Sequence, residues 1–208
     1  MILISSTAMQ IGAGSRLVPA SGPLANLLFG ILGYMAVRRI SRVGPARLLL
    51  WLSAFANLFV GTGYILYSGL TNFGDSAFVI AGMKPAWVFR GILIVFGACG
   101  YRSSVQLAAR DMLGLIRNGS VLADDVPRIV HPSWIAGSLL YFVASLFNPV
   151  SPSLILYDGF SESCGVAVGF LLLAKIVRSC TERDPSSFAA DHSMAISIPF
   201  SATWVLFA

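Results

Sequence analysis

Long runs of apolar residues, separated by short polar stretches, dominate the chain. No charged residue occurs between Arg47 and Asp75, whereas a helix needs only about 20 apolar residues to cross a bilayer. The runs lack the two-residue alternation of barrel strands, and backbone groups in hydrocarbon must pair within their own segment, so the runs predict transmembrane α-helices. The predicted fold class is all-α, a polytopic membrane bundle of about five helices. The predicted spans cover residues 19–37, 48–69, 87–107, 133–147 and 154–177.

Two different segments flank this predicted bundle, which occupies residues 19–177. Residues 1–18 predict short strands in a hairpin-like segment, with a turn at the glycines near position 13. Residues 178–208 are mostly polar, and their last apolar stretch is too short to cross a bilayer. We therefore expect residues 178–208 to form a cytoplasmic tail.

The composition excludes two broad classes of protein. The chain is 56% hydrophobic and 11% charged, whereas soluble domains average about 25% charged residues. This difference excludes an ordinary soluble domain and a disordered chain. The net charge is +5, but the basic residues lie between apolar runs instead of on one polar face, so no nucleic-acid partner is predicted. The predicted partner is the lipid bilayer.

The distribution of basic residues predicts the orientation. Of the 14 lysines and arginines, only Arg16, Lys84 and Arg90 fall on one side of the five-helix arrangement. Because basic residues concentrate on the cytoplasmic side of membrane proteins, we expect a multi-pass protein of the cell membrane with its N-terminus outside and its C-terminus in the cytoplasm. The residues on the predicted cytoplasmic side are Arg38, Arg39, Arg42, Arg47, Arg102, Arg110, Arg117, Arg128, Lys175, Arg178 and Arg183.

Three short elements, at Gly22, around Asn57 and ending at Asp75, resemble motifs of the site-2-type intramembrane zinc proteases. Gly22-Pro23-x-x-Asn26 resembles the segment that follows the catalytic helix of that family. Gly74-Asp75 is similar to a turn in divergent bacterial members, and the resemblance implies that Asp75 is a zinc ligand and Asn57 a supporting polar group. It covers roughly residues 15–110. In contrast to the family pattern, no proline follows Asn57. The other interpretation of Asp75 is an exposed turn residue on the outer side.

The resemblance does not extend to the metal-binding helix. The family carries a His-Glu-x-x-His helix, which this sequence lacks; its two histidines, His131 and His192, are far apart. A hydrolytic zinc centre needs three protein ligands and an open position. We therefore predict no catalytic residue and no cofactor in this chain by itself, as in a truncated or inactive relative of the protease. Zinc at Asp75 is expected only if a histidine helix is supplied elsewhere, and the predicted partners are then a membrane protein substrate or a partner helix.

Two carboxylates in the fifth predicted span support an alternative function. Asp158 and Glu162 are four residues apart, so they share one face of a helix. Carboxylates inside a membrane are costly and often functional, which would suit a small transporter or channel-like protein with an ion pathway. The competing interpretation places the start of this helix near Ser161 and both groups in the headgroup layer. A third possibility is a membrane scaffold without chemistry.

Overall fold

The computed structural model describes residues 16–146 and 168–183. These residues are helical with short connections, and no strand occurs among them. The helical fold class is thereby confirmed for this part of the chain. The elements are α1 (Leu17–Arg39), α2 (Pro45–Thr71), α3 (Asp75–Ile80), α4 (Ala86–Arg117), a 3₁₀ turn (Ala123–Asp125), α5 (Val126–Leu146) and α6 (Gly169–Arg183).

Among the described residues, three helices are long and apolar enough to cross a membrane. They are α1, α2 and α4, with 23, 27 and 32 residues, each above the roughly 20 residues that a crossing requires. They contain the first three predicted spans and extend each of them at both ends. These helices support the expectation of a membrane protein.

The count of five spans is not supported by the part of the chain that the structure describes. The fourth span was predicted to start at Ser133, but α5 begins at Val126 because the helix continues through Pro132 instead of starting after it. Of the fifth span, only residues 168–177 are described; residues 169–177 belong to α6, which runs on to Arg183 and into the predicted tail.

The predicted N-terminal hairpin falls mainly on residues 1–15, which lie outside the described ranges. Its last three residues are not strand. Arg16 is in a turn, and Leu17 and Val18 already belong to α1. Pro19 lies in the first turn of this helix, where a proline is tolerated, whereas Pro23 lies inside the helix.

Helix α2 lies between α1 and α4 and packs on both. Contacts along α1 and α2 run in opposite order, since Leu27 faces Gly61 whereas Gly33 faces Ala54. The α2–α4 contacts are antiparallel in the same way. We refer to α1, α2 and α4 as the helix trio.

Glycines allow the helix trio to pack closely. A Cβ atom added at Gly30 of α1 would lie 2.7 Å from Cγ of Leu58, and one at Gly97 of α4 only 2.5 Å from the backbone nitrogen of Leu66. Membrane helices cannot gain from hydrophobic burial against each other as in water, so close van der Waals contact at small residues holds them together. The trio is therefore arranged around the glycines at its two interfaces.

The second half of α4 contributes to a hydrophobic core that also includes buried residues of α1, α2, α5 and α6. At 1.5 Å per residue α4 exceeds the hydrocarbon thickness of about 30 Å by roughly 18 Å. Here Met112 and Leu113 are fully buried, and α6 packs against both α4 and α5. The Phe59 and Phe170 rings meet edge to face at 5.1 Å, which joins α6 to α2. This core fixes α5 and α6 against one end of the helix trio.

We predict that Gly97→Ala lowers the free energy of unfolding by about 1–3 kcal/mol, because its methyl group would overlap the backbone of α2. Thermal or dodecyl-sulfate unfolding of the purified protein in detergent measures the change. Gly91→Ala is the matched control, since a Cβ at Gly91 of the same helix meets nothing within 4 Å. Equal destabilisation by the two variants would contradict close packing at Gly97.

Candidate functional site

At one end of the helix trio, the structure brings together two elements of the protease resemblance. Gly22 lies in the second turn of α1, and Asp75 is the first residue of α3. A Cβ atom at Gly22 would lie 3.5 Å from Oδ2 of Asp75. The adjacent Pro23 is buried. Residues more than fifty positions apart in sequence are therefore neighbours, and a methyl group at Gly22 would make only an ordinary van der Waals contact with the carboxylate.

The turn before α3 holds Asp75 in place. Gly74 has a φ angle of 87°, a conformation that favours glycine. The backbone N–H of Asp75 donates a hydrogen bond to the Tyr64 hydroxyl at 3.2 Å. A Cβ at Gly74 would lie 2.7 Å from that hydroxyl and 3.1 Å from Oγ of Ser68. Glycine at position 74 is thus needed for both the backbone angle and the close approach of α2.

The Asp75 carboxyl group is partly buried, and burial raises its pKa above the ordinary value of 3.8. Arg90, on the neighbouring α4, does not neutralise it. Its guanidinium group instead donates hydrogen bonds to the carbonyl oxygens of Gly69 and Leu70, at 3.2 and 3.0 Å. These bonds satisfy two carbonyl groups at the C-terminal end of α2, where the helix leaves them without intrahelical partners.

The other two polar residues of the protease resemblance are Asn57 and Asn26. Asn57 donates a hydrogen bond from Nδ2 to the carbonyl oxygen of Ser53, one turn earlier in its own helix, at 2.8 Å. This hydrogen bond lies within α2 and does not involve Asp75. Asn26 is partly buried and lies one turn after Gly22 in α1. The structure therefore brings Gly22, Pro23, Gly74 and Asp75 to one place, and it places Asn57 further along α2.

The donor set of this region does not fit a hydrolytic zinc ion. Within residues 16–146 and 168–183, no three His, Cys, Asp or Glu side chains form a group that could hold a metal. His131 is exposed on α5, and His192 lies outside the described ranges. A single carboxylate cannot replace the three ligands of a catalytic zinc site. The two carboxylates of the predicted ion pathway, Asp158 and Glu162, also lie outside the described residues, so that pathway stays a prediction.

A second carboxylate, which the sequence analysis did not single out, lies at the opposite end of the helix trio. The Tyr34 hydroxyl of α1 donates a hydrogen bond to Oδ1 of Asp111 in α4 at 3.4 Å. The guanidinium groups of Arg38 and Arg47 lie within electrostatic range of the same carboxylate. Asp111 therefore joins all three helices. We call this end of the trio the arginine end; its arginines are Arg38, Arg39, Arg42, Arg47 and Arg110.

One signal in the sequence could have identified Asp111. It lies three residues after Ala108 and four before Leu115, and both of these are buried. Residues at this spacing share a helix face, so Asp111 is a charged residue on an otherwise apolar face. The predicted third span ends at residue 107, so Asp111 was expected in the connection that follows it.

Comparison of the chain with protein-family models, with curated proteins and with solved structures gives no match. The resemblance to site-2-type proteases therefore depends on the motif residues of the sequence alone.

We predict that Asp75→Asn changes how stability depends on pH. Burial raises the pKa of Asp75, so the folded protein binds this proton more tightly than the unfolded chain does. Its contribution to stability is then fully present below about pH 3.8 and is lost as the pH rises through the folded-state pKa. Unfolding measured between pH 3 and pH 8 should show the variant gaining stability relative to wild type as pH rises. A constant difference between the two proteins would contradict this.

Proposed function

We propose that this chain is a multi-pass membrane protein with a site-2 protease-like scaffold and no peptidase activity of its own. The observation that carries the proposal is the contact between Gly22 and Asp75, since the resemblance implies that these two motifs meet at one site. The buried Pro23 and the Gly74 turn support the same arrangement.

The absence of peptidase activity follows from the ligands available. Asp75 offers one carboxylate, and it belongs to no group of three or more potential metal ligands among the described residues. A zinc centre would need histidines from another helix, in a partner or in a longer protein. We infer that the chain by itself serves as a membrane scaffold whose Asp75 end faces a partner helix or a membrane protein substrate.

The proposal includes an orientation in the cell membrane. The arginine end carries five arginines, whereas the exposed basic residues Arg16 and Lys84 lie toward the Asp75 end. Under the positive-inside rule the arginine end faces the cytoplasm. The start of α1 and the Asp75 site then lie toward the outer surface, with the N-terminus outside and the C-terminus in the cytoplasm.

Metal analysis of the purified chain tests the proposal. The protein is expressed with zinc in the medium, purified in detergent, and measured by inductively coupled plasma mass spectrometry beside Asp75→Asn. We expect zinc well below one ion per chain in both proteins, because one carboxylate binds zinc weakly. One zinc per wild-type chain that the variant loses would contradict the proposal, since the chain would then hold a complete metal site.

The DNA upstream of the first codon tests the resemblance separately. An in-frame His-Glu-x-x-His segment there would support descent from a zinc protease. The longer protein should then retain zinc, and Asp75→Asn should weaken that binding. If the longer protein binds zinc equally well with and without Asp75, the proposed correspondence of Asp75 to the third ligand is wrong.

A further inference from the structure

We propose that the arginine end binds the anionic headgroups of phospholipids in the surrounding bilayer. Its position is the first argument. Helix α1 ends at Arg39 and α2 begins at Pro45, so only residues 40–44 connect two helices of membrane-spanning length. A connection this short has to lie at the membrane surface, which is the level of the lipid phosphates.

The charge at this end is the second argument. Asp111 lies near Arg38 and Arg47. The other arginines of this end have no acidic residue of the helix trio at a similar distance. Arg39, Arg42 and Arg110 are exposed, and they take no part in the ion pairs of Arg128 with Asp125 and of Arg178 with Glu182. The outer rim of the arginine end is therefore positively charged.

The opposite end of the helix trio differs. Arg16 and Lys84 are exposed there, but Arg90 is engaged with the carbonyl groups of Gly69 and Leu70. The Asp75 carboxylate adds a negative group to the same end. An anionic lipid should therefore bind the arginine end in preference to the Asp75 end. Arg16 and Lys84, the exposed basic residues of the Asp75 end, provide a matched control.

Exposed apolar side chains beside the arginines favour a lipid as the ligand instead of a soluble anion. Met35, Ile40 and Val43 are 51%, 38% and 37% exposed beside the arginines. A ligand that contacts both the arginines and these apolar side chains needs an acyl chain and a negative headgroup in the same molecule. Guanidinium groups bind phosphate oxygens with two parallel hydrogen bonds, which suits a phospholipid headgroup.

Lipid retention measured by native mass spectrometry tests the proposal. The full chain is taken from vesicles of phosphatidylcholine containing one quarter phosphatidylglycerol, as wild type, as Arg39→Gln/Arg42→Gln, and as the control Arg16→Gln/Lys84→Gln. Each basic residue near an anionic surface contributes roughly fivefold to binding, so the first variant should lose on the order of 20-fold in retained phosphatidylglycerol. The control should stay within about twofold of wild type. Arg39→Lys/Arg42→Lys keeps the charge but loses the paired hydrogen bonds of the guanidinium groups, so its retention should lie between wild type and the glutamine variant.

Two results would overturn the proposal. One is equal retention of phosphatidylglycerol and phosphatidylcholine by the wild-type chain. The other is the same loss in the glutamine variant and in the control, which would indicate a nonspecific effect of net charge. Inorganic phosphate is added in a separate arm; if it displaces the lipid from the wild-type chain at millimolar concentration, the ligand is a soluble anion and the lipid assignment is wrong. Circular dichroism of each variant shows that the helices are retained.

Discussion

The structure depends on the close contact of α2 with the helices on both of its sides. In a bilayer, lipid tails solvate apolar side chains as well as a neighbouring helix does, so only contact at short distance favours association. Gly30 and Gly97 provide that contact, because a side chain at either position would overlap Leu58 or Leu66 of α2. The order of α1, α2 and α4, and therefore everything positioned at their ends, follows from these two interfaces.

The packing also places the polar groups. With α1 antiparallel to α2, the first turns of α1 reach α3, and Gly22 meets Asp75. The same arrangement brings Tyr34, near the other end of α1, to Asp111 of α4. One carboxylate lies at each end of the trio, in different surroundings. Asp75 lies beside Gly22, and its backbone N–H donates a hydrogen bond to Tyr64, whereas Asp111 accepts a hydrogen bond from Tyr34 and lies near Arg38 and Arg47.

Much of the trio could be predicted from the sequence, because an apolar run long enough to cross a bilayer has few alternatives to a helix. Helix ends were harder to predict: Pro132 suggested a boundary, yet α5 runs through it. The motif residues Gly22 and Asp75 were identified, but their contact depends on helix packing. Asp111 was missed because the third predicted span ended at residue 107, although Ala108 and Leu115, on the same helix face as Asp111, are apolar and buried.

Side-specific labelling of single cysteines tests the three-span arrangement most directly. In a chain with Cys99, Cys164 and Cys180 replaced by serine, Arg42→Cys, Lys84→Cys and Asn118→Cys report the connections after α1, before α4 and after α4. If α2 and α4 both cross the membrane, a membrane-impermeant maleimide added to intact cells labels Lys84→Cys, while Arg42→Cys and Asn118→Cys react only after permeabilisation. Labelling of all three positions from the same side would contradict the account.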